Sequence, residues 1–154
     1  MRTLLFILPF FLVANIAAAQ LNVRIQNNPS PLVFDELSDF TNGVQSDMLC
    51  YIGGPLYSRA SNWEVMIRAT RELRFRRYTI PLENIEVSVQ NSDIGQTQKI
   101  SLSTRNQFLI RLGRPVQFVP QIGFLVNFRA IGGEAFLQPP GSYTTTLILT
   151  VVED

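Results

Sequence analysis

Ile85-Glu86-Val87-Ser88-Val89-Gln90 carries the clearest secondary-structure signal in the chain. Ile85, Val87 and Val89 alternate with Glu86, Ser88 and Gln90. Successive side chains of a strand point to opposite faces, so this period of two describes a strand with one face in a core and one in water. The pattern continues outward in both directions. Trp63-Glu64-Val65-Met66-Ile67-Arg68-Ala69 sets Trp63, Val65, Ile67 and Ala69 on one face. Downstream, Ile100 and Leu102, then Phe108, Ile110 and Leu112, then Phe124, Val126 and Phe128 repeat it. Upstream, Met48 to Ile52 is apolar and strand-like, and Leu32-Val33-Phe34 reads as a short strand. At the two ends, Gln20 to Gln26 alternates through Leu21, Val23 and Ile25. Tyr143 to Val152 is rich in threonine and β-branched residues, which strands favour.

The breaks between these runs have turn chemistry. Asn27-Asn28-Pro29-Ser30-Pro31 follows the first run, Thr41-Asn42-Gly43 offers an Asn-Gly step suited to positive φ, and Pro139-Pro140-Gly141 precedes the last. Helical signals are weak. Only Thr70-Arg71-Glu72-Leu73-Arg74 matches a turn of helix, and the alternation of Leu73 and Phe75 with arginines suits a strand better. About eight strands separated by turns, with no linker, repeat or low-complexity tract, predict an all-β fold: a single antiparallel two-sheet sandwich.

The first residues belong to a different kind of segment. Met1-Arg2-Thr3 is short and cationic, Leu4 to Val13 is apolar but too brief to span a bilayer, and Ala17-Ala18-Ala19 precedes Gln20. This is the pattern of a secretory signal peptide over residues 1–19, which leaves 20–154 as one β-sandwich domain of 135 residues, exported to the periplasm, the cell surface or the medium. Loss of Arg2 with the leader leaves 12 basic and 12 acidic side chains. That balance argues against a nucleic-acid partner, whose binding needs excess positive charge. Nothing after residue 19 is long and apolar enough to cross a membrane as a helix.

The 154 residues contain no histidine and one cysteine, Cys50. Imidazole-based triads, Cys-His pairs and His-ligated zinc are thereby excluded, as is an intrachain disulfide. Cys50, in an apolar strand, reads as a buried thiol, with a surface thiol for intermolecular pairing as the alternative. Glu83 and Glu86 lie three apart, which in a strand places them on opposite faces and unsuits them to paired acid/base work. Asp35, Glu36 and Asp39 offer oxygens but lack the alternating-aspartate loop of a calcium site. Gly53-Gly54 runs into proline and not into a helix start, so it cradles no phosphate. The expectation is a protein with no catalytic residue, no cofactor and no metal.

Two constellations remain. Arg68, Arg71, Arg74, Arg76 and Arg77 form the strongest local charge feature, with Phe75 and Tyr78 interleaved. They read either as a solvated sheet face, part-neutralised by Glu64, Glu72, Glu83 and Glu86 across strands, or as a site for a sulfated or carboxylated polysaccharide. Trp63, the sole tryptophan, reads as a core anchor in preference to a sugar platform.

Pro140-Gly141-Ser142-Tyr143-Thr144-Thr145-Thr146-Leu147-Ile148-Leu149-Thr150-Val151 resembles the closing strand of pilus subunits of the chaperone–usher route, and of spore-coat-U-type secreted domains. Trp63 to Ala69 also looks like a Trp-x-Val-x-Val-x-Ala strand of exported sandwich domains. The resemblance implies an immunoglobulin-like, pilin-like sandwich in which a strand is donated by a neighbour's N-terminal segment. The matching candidate is Gln20 to Gln26, with Leu21, Val23 and Ile25 as groove-filling side chains and Asn27 to Pro31 as hinge. The disulfide common in pilins is impossible here, and the donor is short. The same segment also reads as an ordinary first strand paired within its own chain. The function expected is that of a non-enzymatic structural or adhesive surface protein, a pilin-like subunit whose partner is itself or another surface subunit. The alternative is a secreted module binding anionic glycans through the arginines.

Overall fold

The structure, a computed structural model, describes residues 22–53, 63–90, 95–112 and 122–153. Residues 1–19, which the sequence suggests are a leader, and Leu21 lie outside them. Eleven strands appear among the described residues: β1 (Asn22–Ile25), β2 (Val44–Gly53), β3 (Trp63–Ala69), β4 (Leu73–Phe75), β5 (Tyr78–Ile80), β6 (Ile85–Val89), β7 (Gln96–Thr97), β8 (Ile100–Ser101), β9 (Gln107–Leu112), β10 (Ile122–Ala130) and β11 (Leu147–Glu153). They form a five-stranded sheet in the order β1-β2-β10-β6-β8 and a four-stranded sheet in the order β11-β3-β9-β7, with β4-β5 as a separate hairpin. Every strand pairing is antiparallel. The fold is an all-β sandwich, as the alternation predicts.

The two sheets bury their alternating faces against one another. Trp63, Val65, Ile67 and Ala69 of β3 are each fully buried. Val87 of β6 and Phe124, Val126 and Phe128 of β10 join them in one core cluster with Met48, Cys50 and Ile52 of β2. Each buried Val, Ile, Phe or Met side chain among these contributes roughly 1.5–3 kcal/mol on leaving water, so the faces named from the sequence hold the layers together. β2 and β10 form the spine of the larger sheet, in continuous register from Val44 opposite Ala130 to Ile52 opposite Ile122.

The far side of β11 holds no strand among the described residues.

Four local readings need correction. Leu32–Phe34 is not a strand; Leu32 and Phe34 pack on the core as irregular chain. The Asn42-Gly43 step does not stand alone as a turn but ends a six-residue helix, α1 (Leu37–Asn42). Asp39 Oδ2 accepts the backbone N–H of both Asp35 and Glu36, satisfying donors at the helix start. Gly43, at φ 77°, stops it, where a Cβ would collide with the Ala130 carbonyl. Strand β9 carries a bulge: Val65 faces Ile110 while Met66 faces Phe108, so Leu109 has no partner and is turned inward beside Ile110, both fully buried. The last strand begins at Leu147, four residues later than Tyr143.

Candidate functional site

The edge of the smaller sheet is the first place where the molecule looks unfinished. β11 pairs with β3 on one side only. Thr70 N–H donates to Thr146 C=O at 2.9 Å, and the register runs unbroken from Leu147 opposite Ala69 to Glu153 opposite Trp63. Antiparallel pairs alternate between hydrogen-bonded and non-bonded. The main-chain groups of Ile148, Thr150 and Val152 therefore face β3, and those of Leu147, Leu149 and Val151 face outward. The side chains of these three pack against the core yet stay half-buried, whereas their neighbours on β3 are fully buried. Among the described residues, a row of N–H and C=O groups without a partner thus runs beside an apolar row that is half covered.

β1 lies at the same rim. It is the edge strand of the larger sheet, and its Cα atoms approach those of β11 within 8 Å. Asn22 to Ile25 pairs with Gly53 to Cys50 of the same chain. Gln26 N–H donates to Leu49 C=O at 2.9 Å, and Leu49 N–H donates to Asn27 Oδ1 at 2.8 Å. Of the three side chains named as groove fillers, Val23 is half-buried against the core and Ile25 is 47 % exposed. Leu21 lies outside the described residues. The attachment of this segment is therefore one short edge pairing with incomplete side-chain burial.

The arginines do not share one strand face. Arg68 is half-buried on β3, Arg71 lies in the connection that follows, and Arg74 is on β4. Arg76 and Arg77 are the two turn residues between β4 and β5. Arg76 takes φ 54°, a left-handed conformation that costs a non-glycine residue roughly 1 kcal/mol. Its guanidinium lies 5.2 Å from the Phe75 ring centroid, and that of Arg77 lies 5.2 Å from Tyr78. Arg74 Nε donates to Arg76 C=O at 3.0 Å, and an Arg77 terminal nitrogen donates to the Tyr78 hydroxyl at 3.1 Å. The hairpin is tied to the approach of β11: Arg74 and Thr144 exchange main-chain hydrogen bonds, and Phe75 meets Tyr143 at 5.6 Å between ring centroids. Gly141 lies so close to the Phe75 ring that a Cβ there would collide with it. The Tyr143 hydroxyl, which donates to Pro139 C=O at 2.9 Å, is pushed above the usual phenol range by desolvation and by the nearby Tyr78.

Three of the four acids expected to neutralise this run, Glu64, Glu72 and Glu86, are engaged elsewhere, and Glu83 is exposed in the turn Leu82–Asn84. Glu64 accepts from Arg111 Nε at 2.6 Å, and Glu86 pairs with Lys99 at 2.8 Å and Arg129 at 3.7 Å. Glu72 accepts the Leu82 N–H at 2.6 Å. Among the described residues, none of the five arginines has a carboxylate within 4 Å. Asp39 is occupied in capping, and no group of three or more Cys, Asp or Glu residues among those described is placed to hold a metal. Nor is any described helix long and apolar enough to cross a membrane. Cys50 is free and fully buried, and burial pushes its thiol up to about 11.

The acceptor row Leu147, Leu149 and Val151 escapes a reading of the sequence, because Ile148 and Val152 interrupt the period of two with apolar residues on the other face. No protein-family model matches the chain, and comparison with curated proteins finds no similar sequence.

Proposed function

We propose that the chain is an exported, non-enzymatic structural or adhesive surface protein, a pilin-like subunit that assembles by β-strand addition. The occupant of the β11 edge is Gln20–Gln26 of a second copy. The observation that carries the reading is the main-chain row of Leu147, Leu149 and Val151, without a partner among the described residues, beside side chains that the fold leaves half covered. An added strand makes main-chain hydrogen bonds along such an edge and buries alternate side chains, which is the energetic basis of strand addition. The donor has the matching alternation, and the proline-rich Asn27–Pro31 stretch supplies a hinge. Leaving its own β2 costs the donor a four-residue edge pairing and the hydrogen bonds that Gln26 and Asn27 make with Leu49. Burial of Ile25, now 47 % exposed, returns roughly 1 kcal/mol. Export is supported by the leader-like residues 1–19.

Sedimentation velocity over a range of concentrations tests this with residues 20–154, the same chain lacking Gln20–Gln26, and Val151→Pro. Proline at 151 removes an N–H from the free edge without touching a bond to β3, the setting in which edge strands tolerate it. The complete chain is expected to form oligomers, the shortened one to stay a folded monomer that accepts the segment added as a peptide, and Val151→Pro to stay monomeric and refuse it. Polymerisation of the shortened chain overturns the reading.

A further inference from the structure

We infer that the tip of the β4–β5 hairpin is a binding site for an anionic glycan, in which Arg74, Arg76 and Arg77 hold sulfate or carboxylate groups. The inference stands on the hairpin alone and does not depend on strand addition at β11. Three exposed guanidinium groups lie within four residues, with no carboxylate within 4 Å among the described residues. The nearest acid in sequence, Glu72, is turned away to accept the Leu82 N–H. Two of the three arginines are also held in place. Arg74 spends Nε on the Arg76 carbonyl and Arg77 spends one terminal nitrogen on Tyr78, which orients the remaining donors. A planar fork positioned in this way loses less freedom on meeting an oxyanion than a lysine does.

The turn itself favours a role for the side chain at 76. Glycine or asparagine adopts positive φ at lower cost, yet arginine occupies the position at φ 54°. The Arg76 side chain lies over the Phe75 ring and stays exposed at the tip of the hairpin. A glycan fits better than a nucleic acid because the charge is confined to the four residues Arg74 to Arg77 of one hairpin, and the processed chain carries as many acidic as basic side chains. Half-buried Tyr78 and Tyr143 lie at and beside the hairpin, Tyr78 with the Arg77 guanidinium over its ring and Tyr143 against Phe75.

The test is the affinity of residues 20–154 for heparin and for polygalacturonate, which carry sulfates and carboxylates or carboxylates alone, with duplex DNA as a third polyanion. Arg74→Ser/Arg76→Ser/Arg77→Ser is expected to lower affinity for the preferred glycan at least tenfold and to flatten its salt dependence. Arg105→Ser, an equally exposed arginine in another loop, is expected to change it less than twofold. The single variant Arg76→Gly separates binding from folding: it relieves the turn, so its thermal midpoint is expected to hold or rise while glycan affinity falls. Burial of Trp63 provides a fluorescence check that each variant is folded. Which polymer binds names the anion. Unchanged affinity in the triple variant, an equal loss in Arg105→Ser, or equal binding of duplex DNA overturns the proposal.

Discussion

Cys50 shows how far a single residue can be read from its neighbours in sequence. Its apolar strand context predicts a buried thiol, and the side chain is fully buried on the spine strand β2. Burial raises the thiol from 9.0 to about 11, because the apolar surroundings disfavour the thiolate. The folded value lies above the unfolded one, so this contribution to stability is complete below about pH 9 and is lost as pH rises toward 11. Its size is on the order of 2 kcal/mol. Urea denaturation at pH 8 and pH 11 is expected to show a steeper loss for the native chain than for Cys50→Ala, and equal losses would contradict the burial. Trp63 is legible in the same way, since its place in an alternating run fixes the face it occupies. The arginines are less so. Spacing puts five of them close together, but the partner chosen by each nearby acid depends on strands far away in sequence, as with Glu64 and Arg111.

At the scale of elements, the runs that alternate without interruption are the ones that come out as written. β3 buries its whole predicted face, β6 buries Ile85 and Val87 with Val89 half-buried, and β10 buries its face from Phe124 to Phe128. Three elements are hidden for three physical reasons. Helix α1 is too short to display a period of 3.6 and exists through Asp39 at its start and Gly43 at its end. The bulge in β9 inserts one residue opposite β3, and a fault of register leaves no mark on composition. β11 is apolar on both faces, so its inward row does not stand out. The bulge makes a sharp prediction about Leu109. Strict alternation through Phe108 and Ile110 would place it in water, where truncation costs little. Full burial instead predicts that Leu109→Ala lowers unfolding free energy by about 2–5 kcal/mol, measured by chemical denaturation. A loss below about 0.5 kcal/mol would return Leu109 to the surface.

Across the described residues, two sheets of five and four strands close over one core, and at one rim β1 and β11 run as edge strands of opposite sheets. Alternation reveals which side chains point inward; which strand lacks a neighbour is a property of the assembled sheet and is invisible in any one segment. The larger sheet ends in β1, whose pairing is short, and the smaller in β11, whose apolar row is half covered. These edges and the arginine hairpin are the surfaces through which the protein is proposed to act, one toward its own copies and one toward a glycan. Hydrogen exchange at the outward amides of β11 probes the first of them directly. With the concentrated complete chain compared against the chain lacking Gln20–Gln26, the amides of Leu147, Leu149 and Val151 are expected to exchange at least tenfold more slowly in the complete chain, while those of Ile148 and Thr150, already bonded to β3, change little. Equal exchange of the three outward amides in the two proteins would contradict strand addition at this edge.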